Sequence, residues 1–293
     1  MPARALFRRH DAASQTKYQD LKALARSQRR VLAGTPGTLK QRTQSGNRYR
    51  VREYIRVDGS KVDEYLGADT ALGEARIAEL RSEVELARAL AAGSAQLRLL
   101  GFQRMERKPA AVLEVFFNRG LVAAGLTLVG SHAYGALLNE LGILVRGYRT
   151  PDLDVDVRLP GEKLRNAKLV KHPGPHMPLD PLLDFLIKEP IDGTILSPNQ
   201  VIPVKLPSPE RFVLHKLYAS QSRADRGKSP RDLDQAATVA AVLEEDAPGR
   251  LVDTFRRMPV AGKSAARRGA RAAAKRLENL HPQGEDVLRR IAG

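Results

Sequence analysis

Three aspartates at alternate positions are the residues of this chain that could most directly do chemistry. Asp152, Asp154 and Asp156 alternate with apolar residues. A period of two predicts a β-strand with the apolar side chains on one face and the acids on the other. Carboxylates this close repel one another unless a cation compensates them, and such oxygen ligands suit Mg²⁺. Bound Mg²⁺ could stabilise the attacking and leaving oxygens of a phosphoryl displacement. An acidic edge strand facing solvent, or an incidental cation site, explains the same spacing equally well.

A glycine and a serine upstream of the acids could bind a phosphate. Gly130-Ser131 follows the apolar run from Leu126 to Val129 and opens a helical pattern over residues 133–141. A glycine between a strand and a helix lets backbone N–H groups approach a phosphate, and the N-terminal end of a helix favours negative charge. The stretch is not a P-loop, because no Lys-Ser or Lys-Thr pair follows the glycines. The order of these parts therefore predicts a cradle for a nucleotide.

This order resembles the signature of the DNA polymerase β-like nucleotidyltransferase superfamily: Gly130-Ser131, a helix, then Thr150-Pro-Asp152-Leu-Asp154. Two later stretches are similar to an uncharacterised bacterial nucleotidyltransferase family that also carries an N-terminal hairpin segment. They read Pro207-Ser-Pro209-Glu210-Arg211-Phe212-Val-Leu-His215-Lys216-Leu217 and Lys228-Ser-Pro-Arg231-Asp232-Leu-Asp234-Gln235-Ala236. The resemblance covers residues 16 to 246.

The resemblance implies an α+β fold. Its centre would be a polymerase-β-like nucleotidyltransferase core, a short mixed sheet flanked by helices. An N-terminal helix with a β-meander and a helical C-terminal region would complete it. The resemblance also implies an NTP as substrate and Mg²⁺ as cofactor, with Asp152 and Asp154 as the metal ligands. Asp156 would be the general base or a third ligand.

The phosphates of the NTP would bind at Gly130 and Ser131, the glycine turn before the helix. Lys216 and Arg223 would neutralise phosphate charge, and the alternative for Lys216 is a surface lysine without this role. In the family a longer insert with a second acidic strand usually follows the first. Here only residues 157–180 separate Asp156 from Pro181. One interpretation is that the two acidic strands have merged, which would put the usual geometry of the third acid in doubt.

The charge of the chain favours a polyanionic partner. The formal net charge is +16, and it is uneven: residues 1–110 hold 22 Lys and Arg against 12 Asp and Glu, whereas residues 111–255 hold 17 against 18. Residues 256–276 add eight basic residues and no acid. Basic flanks around a neutral core indicate nucleic acid, most plausibly RNA. Basic composition without a binding role is the alternative.

The absence of cysteine and the lack of long apolar segments limit the classes of protein to which the chain could belong. The absence of cysteine excludes a disulfide framework, a zinc–thiolate site and a cysteine nucleophile, and it suits a cytoplasmic protein. No apolar run has the length of a membrane span, and residues 1–9 lack a signal-peptide core.

The chain divides into four predicted segments. Residues 1–108 form a basic unit of helix, β-meander and long helix. In its middle strand, Arg48, Arg50, Arg52, Tyr54 and Arg56 share one predicted face, which could bind phosphates and stack on bases. Residues 109–207 form the nucleotidyltransferase core, residues 208–255 a helical region, and residues 256–293 a basic tail that is helical or partly disordered.

Three functions follow as hypotheses. The first is a Mg²⁺-dependent nucleotidyltransferase that transfers an NMP from an NTP to a hydroxyl of RNA, tRNA among the candidates, or of protein. By analogy with toxin–antitoxin systems, an antitoxin-like protein is a candidate partner. The second is a catalytically impaired, nucleotidyltransferase-like protein that binds nucleic acid. The third is a transferase that modifies a small molecule, and it predicts that removing residues 256–293 leaves activity unchanged.

Overall fold

The computed structural model describes residues 5–68, 71–145, 148, 155–159, 182–222 and 226–293, with the main chain alone for residues 71–73 and 75. In these ranges the helices are α1 (Ala12–Arg26), α2 (Ala71–Leu99), α3 (Arg107–Asn118), α4 (Gly130–Glu140), α5 (Leu183–Ile187), α6 (Pro209–Ser222), α7 (Ser229–Asp246), α8 (Arg250–Arg256), α9 (Val260–Leu277) and α10 (Pro282–Ala292), with a 3-10 turn at Arg226–Lys228. The strands are β1 (Arg8–Arg9), β2 (Thr38–Gln44), β3 (Asn47–Ile55), β4 (Lys61–Ala68), β5 (Thr127–Leu128), β6 (Ile143–Leu144), β7 (Val157–Arg158), β8 (Ile191–Leu196) and β9 (Val201–Leu206). Helices with small sheets confirm the predicted α+β class.

A four-stranded sheet in the order β7-β5-β9-β8 carries the predicted cradle. β5 runs parallel to β9 and antiparallel to β7, so the sheet is mixed. Thr127 lies between Arg158 of β7 and Lys205 of β9. Helix α4 contacts β8 and β9, and α3 also contacts β9. The strand expected in the apolar run from Leu126 to Val129, before Gly130, is present as β5.

Polar contacts at the C-terminal end of α4 fix this helix in place. The Asn139 side chain accepts a hydrogen bond from the main-chain N–H of Gln103 (2.8 Å) and donates one to its carbonyl (2.9 Å). The Glu140 carboxylate accepts from the Tyr18 hydroxyl at 2.7 Å and from the Lys22 ammonium at 2.5 Å. These contacts tie α4 to α1 and to the loop before α3, and they leave the opposite end of α4 for the predicted site.

The N-terminal segment contains the predicted meander, β2-β3-β4, with all pairs antiparallel. Its first turn begins one residue before the Gly46-Asn47 pair, which the sequence alone would mark as the turn. Ser45 (φ 50°) and Gly46 (φ 78°) are the two loop residues, since a tight hairpin loop of this kind needs positive φ at both positions.

The predicted row of arginines on β3 is not one exposed face. Arg52 and Tyr54 are buried, whereas Arg48 is exposed, and the pairing of β3 with β4 shifts between Arg50 and Val51. The Arg52 Nε donates to Glu64 at 2.8 Å, and its guanidinium lies 4.1 Å from the centre of the Tyr54 ring. This part of the row therefore packs inside the protein, and the prediction of a continuous basic face is wrong.

The C-terminal helices join one core with the rest of the chain. Apolar side chains from α4, β9, α6, α7, α9 and α10 belong to the same buried cluster. Close approach of small residues fixes the helices: a Cβ added to Gly269 of α9 would lie 2.2 Å from the Leu217 carbonyl oxygen of α6. Residues 260–277 and 282–292 are both helical, and Pro282 begins α10, where a helix tolerates proline.

Candidate active site

The Gly130 turn joins β5 to α4, and the carboxylate of Asp156 lies against it. The Val129 N–H donates to the Asp156 carbonyl at 2.9 Å, next to the pairing of Leu128 with Val157. Gly130 has a φ of +72°, and a Cβ added there would lie 2.6 Å from Asp156 Oδ2. Only glycine therefore permits both the left-handed backbone and this approach of the carboxylate.

Over residues 155–157 the burial alternates as the sequence predicts, and the strand itself contains Val157 and Arg158. Val155 and Val157 are half-buried and pack against the main core, whereas Asp156 between them is exposed. Asp156 therefore lies on the face opposite the core. Asp152, Asp154 and Arg223 lie outside the described residues, so their predicted roles stay predictions.

The N-terminal end of α4 favours negative charge at this position. Val129 is the N-cap residue, no side chain caps the first turn, and that turn contains no acidic residue. Ser131 is half-buried, and its carbonyl accepts a hydrogen bond from the Tyr148 hydroxyl at 2.8 Å. The first N–H groups of a helix have no intrahelical partner, so an anion at this end would find donors and a favourable dipole.

An aromatic bridge, made of Tyr148, Tyr134 and Phe212, connects this turn to α6. The Tyr148 ring meets the Tyr134 ring edge-on at 4.8 Å between centroids. The Tyr134 ring stacks on the Phe212 ring at 5.9 Å, and Lys216 Nζ lies 5.4 Å from the centre of the Phe212 ring. Burial raises the pKa of the Tyr134 phenol, so it stays protonated. The bridge joins Ser131 and Lys216 through one continuous set of contacts.

Lys216 is buried and its ammonium donates to Asp232 of α7 at 2.6 Å. Both side chains are almost inaccessible, at 6% and 4% of their full exposure. The alternative of a surface lysine is therefore wrong. That Lys216 neutralises phosphate charge stays a prediction. It requires the ammonium to contact a phosphate, either while it remains bonded to Asp232 or in place of that bond.

In the described ranges, no cluster of three or more His, Asp or Glu side chains could hold a metal ion. The predicted Mg²⁺ ligands Asp152 and Asp154 belong to the undescribed stretch. Nor does any described helix combine the length and the apolar composition that crossing a membrane requires.

A family model described as "Nucleotidyltransferase" matches residues 178–259. The match supports a nucleotidyltransferase. The match also supports the prediction from the sequence that the protein is a transferase enzyme. The matched segment contains α5 to α8 with β8 and β9, and so it includes the Lys216–Asp232 pair, whereas the Gly130 turn and Asp156 precede it. No curated protein and no solved structure shows significant similarity to the chain.

Sequence reasoning missed the tyrosines of this candidate site. Tyr134 is three residues after Ser131, and Phe212 is four residues before Lys216, so each shares a helix face with a predicted site residue. That spacing was an available signal for the bridge. Tyr148 gave no such signal, because its contact with Ser131 depends on the path of the loop after β6.

Proposed function

We propose that this nucleotidyltransferase is Mg²⁺-dependent and transfers an NMP from an NTP to a hydroxyl of RNA. The observation that carries the proposal is the contact between the Asp156 carboxylate and the Gly130 turn, at the uncapped end of α4. This contact supports the proposal because an uncapped helix N-terminus can bind a phosphate, and a later segment of the chain matches a nucleotidyltransferase family model.

Each group at the candidate site would have a role that follows from its charge. The N–H groups after Gly130 and Ser131 would bind the phosphates of the NTP, and Lys216 with Arg223 would offset their charge. Asp152 and Asp154 are hard oxygen donors of the kind that Mg²⁺ prefers, and Asp156 offers a further exposed carboxylate beside the turn. When bound, the metal would supply Lewis-acid polarisation of the phosphoryl oxygens.

The transfer is a displacement at the α-phosphorus of the NTP. The acceptor hydroxyl oxygen forms a bond to that phosphorus, and the bond from the α-phosphorus to the bridging oxygen breaks, so pyrophosphate leaves. Asp156 takes the proton of the attacking hydroxyl. The exposed position of this carboxylate, on the face away from the core, supports its access to an acceptor.

RNA is the acceptor that the charge distribution favours, with tRNA as one candidate. The basic flanks of the chain would attract a polyanion, and a protein hydroxyl as acceptor would give them no such role. Restraint of the activity by an antitoxin-like protein is part of the same proposal, by analogy alone.

The test is transfer of label from each α-³²P NTP, with Mg²⁺, to cellular RNA or to protein. We expect labelled RNA with the wild type, and a loss of at least about 100-fold in rate with Asp156→Asn, because a positioned base contributes roughly 10²–10⁴-fold. Asp154→Ala should abolish transfer. Asp20→Asn removes an exposed carboxylate of α1 and should leave the rate unchanged.

The outcomes separate the hypotheses. If protein becomes labelled and RNA does not, the acceptor is a protein hydroxyl and not an RNA hydroxyl. RNA binding without transfer from any NTP, in a folded protein, would establish the catalytically impaired alternative. Full activity in Asp156→Asn would remove this aspartate from the mechanism.

A further inference from the structure

The outer face of α9 is a continuous row of cations, here called the basic ridge. Helix α9 contains no acidic residue. Five of its six cations are exposed, and Lys263 is partly buried. The members of the ridge are Lys263, Arg267, Arg268, Arg271, Lys275 and Arg276. From the first to the last, the ridge extends about 20 Å at the helical rise per residue.

The ridge has almost no carboxylate partners, unlike those cations of the protein that are held in ion pairs. Arg9 is paired with two acids, and Arg290 likewise. Across the part of the chain that the structure describes, the ridge has one ion pair, from Arg276 to Asp234 at 3.4 Å. Its other contacts leave the charge intact, as where Arg268 donates to the Ser264 hydroxyl and Arg271 to a main-chain carbonyl.

The inner face of α9 fixes the ridge next to the nucleotidyltransferase segment. This face consists of buried small residues, among them Ala266, Gly269 and Ala270. Gly269 approaches the main chain of Leu217, the neighbour of Lys216, so closely that a side chain would overlap it. The ridge is therefore part of the folded body and not a mobile tail.

We propose that the basic ridge binds the phosphate backbone of the acceptor RNA. The inference rests on the proposed function, which makes RNA the acceptor, and it assigns the surface. A membrane is the poorer occupant, because a membrane-bound amphipathic helix inserts its apolar face, and the apolar face of α9 is buried in the core. Cations without acidic neighbours suit phosphates, and they carry no information about base sequence.

The test measures binding of a labelled RNA stem-loop without NTP or Mg²⁺, over a range of salt concentrations. The ridge variant is Arg268→Gln/Arg271→Gln/Lys275→Gln. The matched control is Arg26→Gln/Arg29→Gln/Arg289→Gln, which removes the same charge from exposed cations that each have an acidic partner. Glutamine has a helix propensity near those of arginine and lysine, and thermal unfolding followed by circular dichroism checks each fold.

We expect the ridge variant to bind roughly tenfold more weakly or worse, with a log–log salt slope smaller by about 2 to 3, since each phosphate contact contributes about 0.7–0.9. The control should keep both values near wild type. Equal losses in the two variants, unchanged binding by the ridge variant, or wild-type binding to phosphatidylserine vesicles but not to RNA would each overturn the proposal. This test measures binding and not transfer. A protein that binds RNA through the ridge but transfers no label in the separate transfer assay would therefore refute the proposed function and leave the ridge proposal standing.

Discussion

Gly130 meets two separate demands at the candidate site. Its backbone is left-handed, and the space where a side chain would begin is taken by the Asp156 carboxylate. Gly120 meets only the first demand, because it has a φ of +73° and no atom within 4 Å of an added Cβ. The two glycines therefore separate the conformational cost from the cost of the contact.

We predict that Gly130→Ala lowers the free energy of unfolding by at least as much as Gly120→Ala. Both changes should cost roughly 1–2 kcal/mol for the left-handed backbone, and in the first the exposed Asp156 carboxylate must also move aside, at a small further cost. Urea unfolding measures the difference. Combining Gly130→Ala with Asp156→Ala should recover the excess. A smaller loss in Gly130→Ala than in Gly120→Ala would contradict the prediction.

The sequence allowed Gly130, Ser131 and Asp156 to be predicted together because strand, turn and helix signals are local. The burial of Lys216 could not be read in the same way. Its partner Asp232 lies on another helix, and whether a lysine reaches solvent depends on how α6 and α7 pack. Local patterns therefore predicted the Gly130 turn, whereas the burial of Lys216 could be seen only in the tertiary structure.

At the scale of elements, the β2-β3-β4 meander is stabilised by charges centred on one glutamate. Lys40, Lys61 and Arg42 all contact the Glu53 carboxylate, at 2.6, 2.9 and 2.9 Å. The hydrogen bonds from Lys40 and Lys61 lower the pKa of Glu53 from 4.5 to about 2. In the folded protein this carboxyl group therefore stays ionised at a pH where it would be protonated in the unfolded chain.

We predict a loss of stability on acidification that depends on Glu53. Because its folded pKa is depressed, its contribution is complete above about pH 4.5 and is lost as the pH falls towards about 2. Urea unfolding at a series of pH values should show a shallower decline in Glu53→Gln than in the wild type. Glu278→Gln, which changes an exposed glutamate, serves as the control. An identical decline in Glu53→Gln and wild type would contradict this role.

The sequence predicted the elements better than their faces. The three strands of the meander and the long helix over residues 71–99 were expected from alternation and helical periodicity. Which side chains of β3 are exposed was not predicted correctly. The shift in pairing between Arg50 and Val51 breaks the simple alternation, and Arg52 becomes a buried partner of Glu64. A bulge of this kind has no reliable signature in one sequence.

At the scale of the whole molecule, the last two helices complete the core. Leu277 of α9 and Val287, Leu288 and Ile291 of α10 are essentially inaccessible. Each such side chain contributes roughly 1.5–3 kcal/mol when buried, and the total stability of a domain is about 5–15 kcal/mol. Composition alone could not reveal this, since the abundance of Ala and Arg in residues 256–276 also suits a solvated segment.

We predict that deletion of residues 256–293 removes cooperative unfolding or solubility. Circular dichroism melting and gel filtration would measure this, with Arg268→Gln/Arg271→Gln/Lys275→Gln as the control that removes charge and keeps the core. A truncated chain that melts as sharply and at the same temperature as the full chain would contradict the prediction. The deletion therefore cannot distinguish a small-molecule transferase from one that acts on RNA, and the ridge variant is the suitable test.

The contact between Gly269 and the main chain of Leu217 has a consequence for substrate choice. Backbone against backbone leaves no flexible side chain to give way, so the ridge and residue 216 keep a fixed separation. An RNA held along the ridge would then offer its reacting hydroxyl at a set distance from where it is gripped. Selection under the proposed function would follow the length and shape of the RNA end, with little regard for the order of its bases.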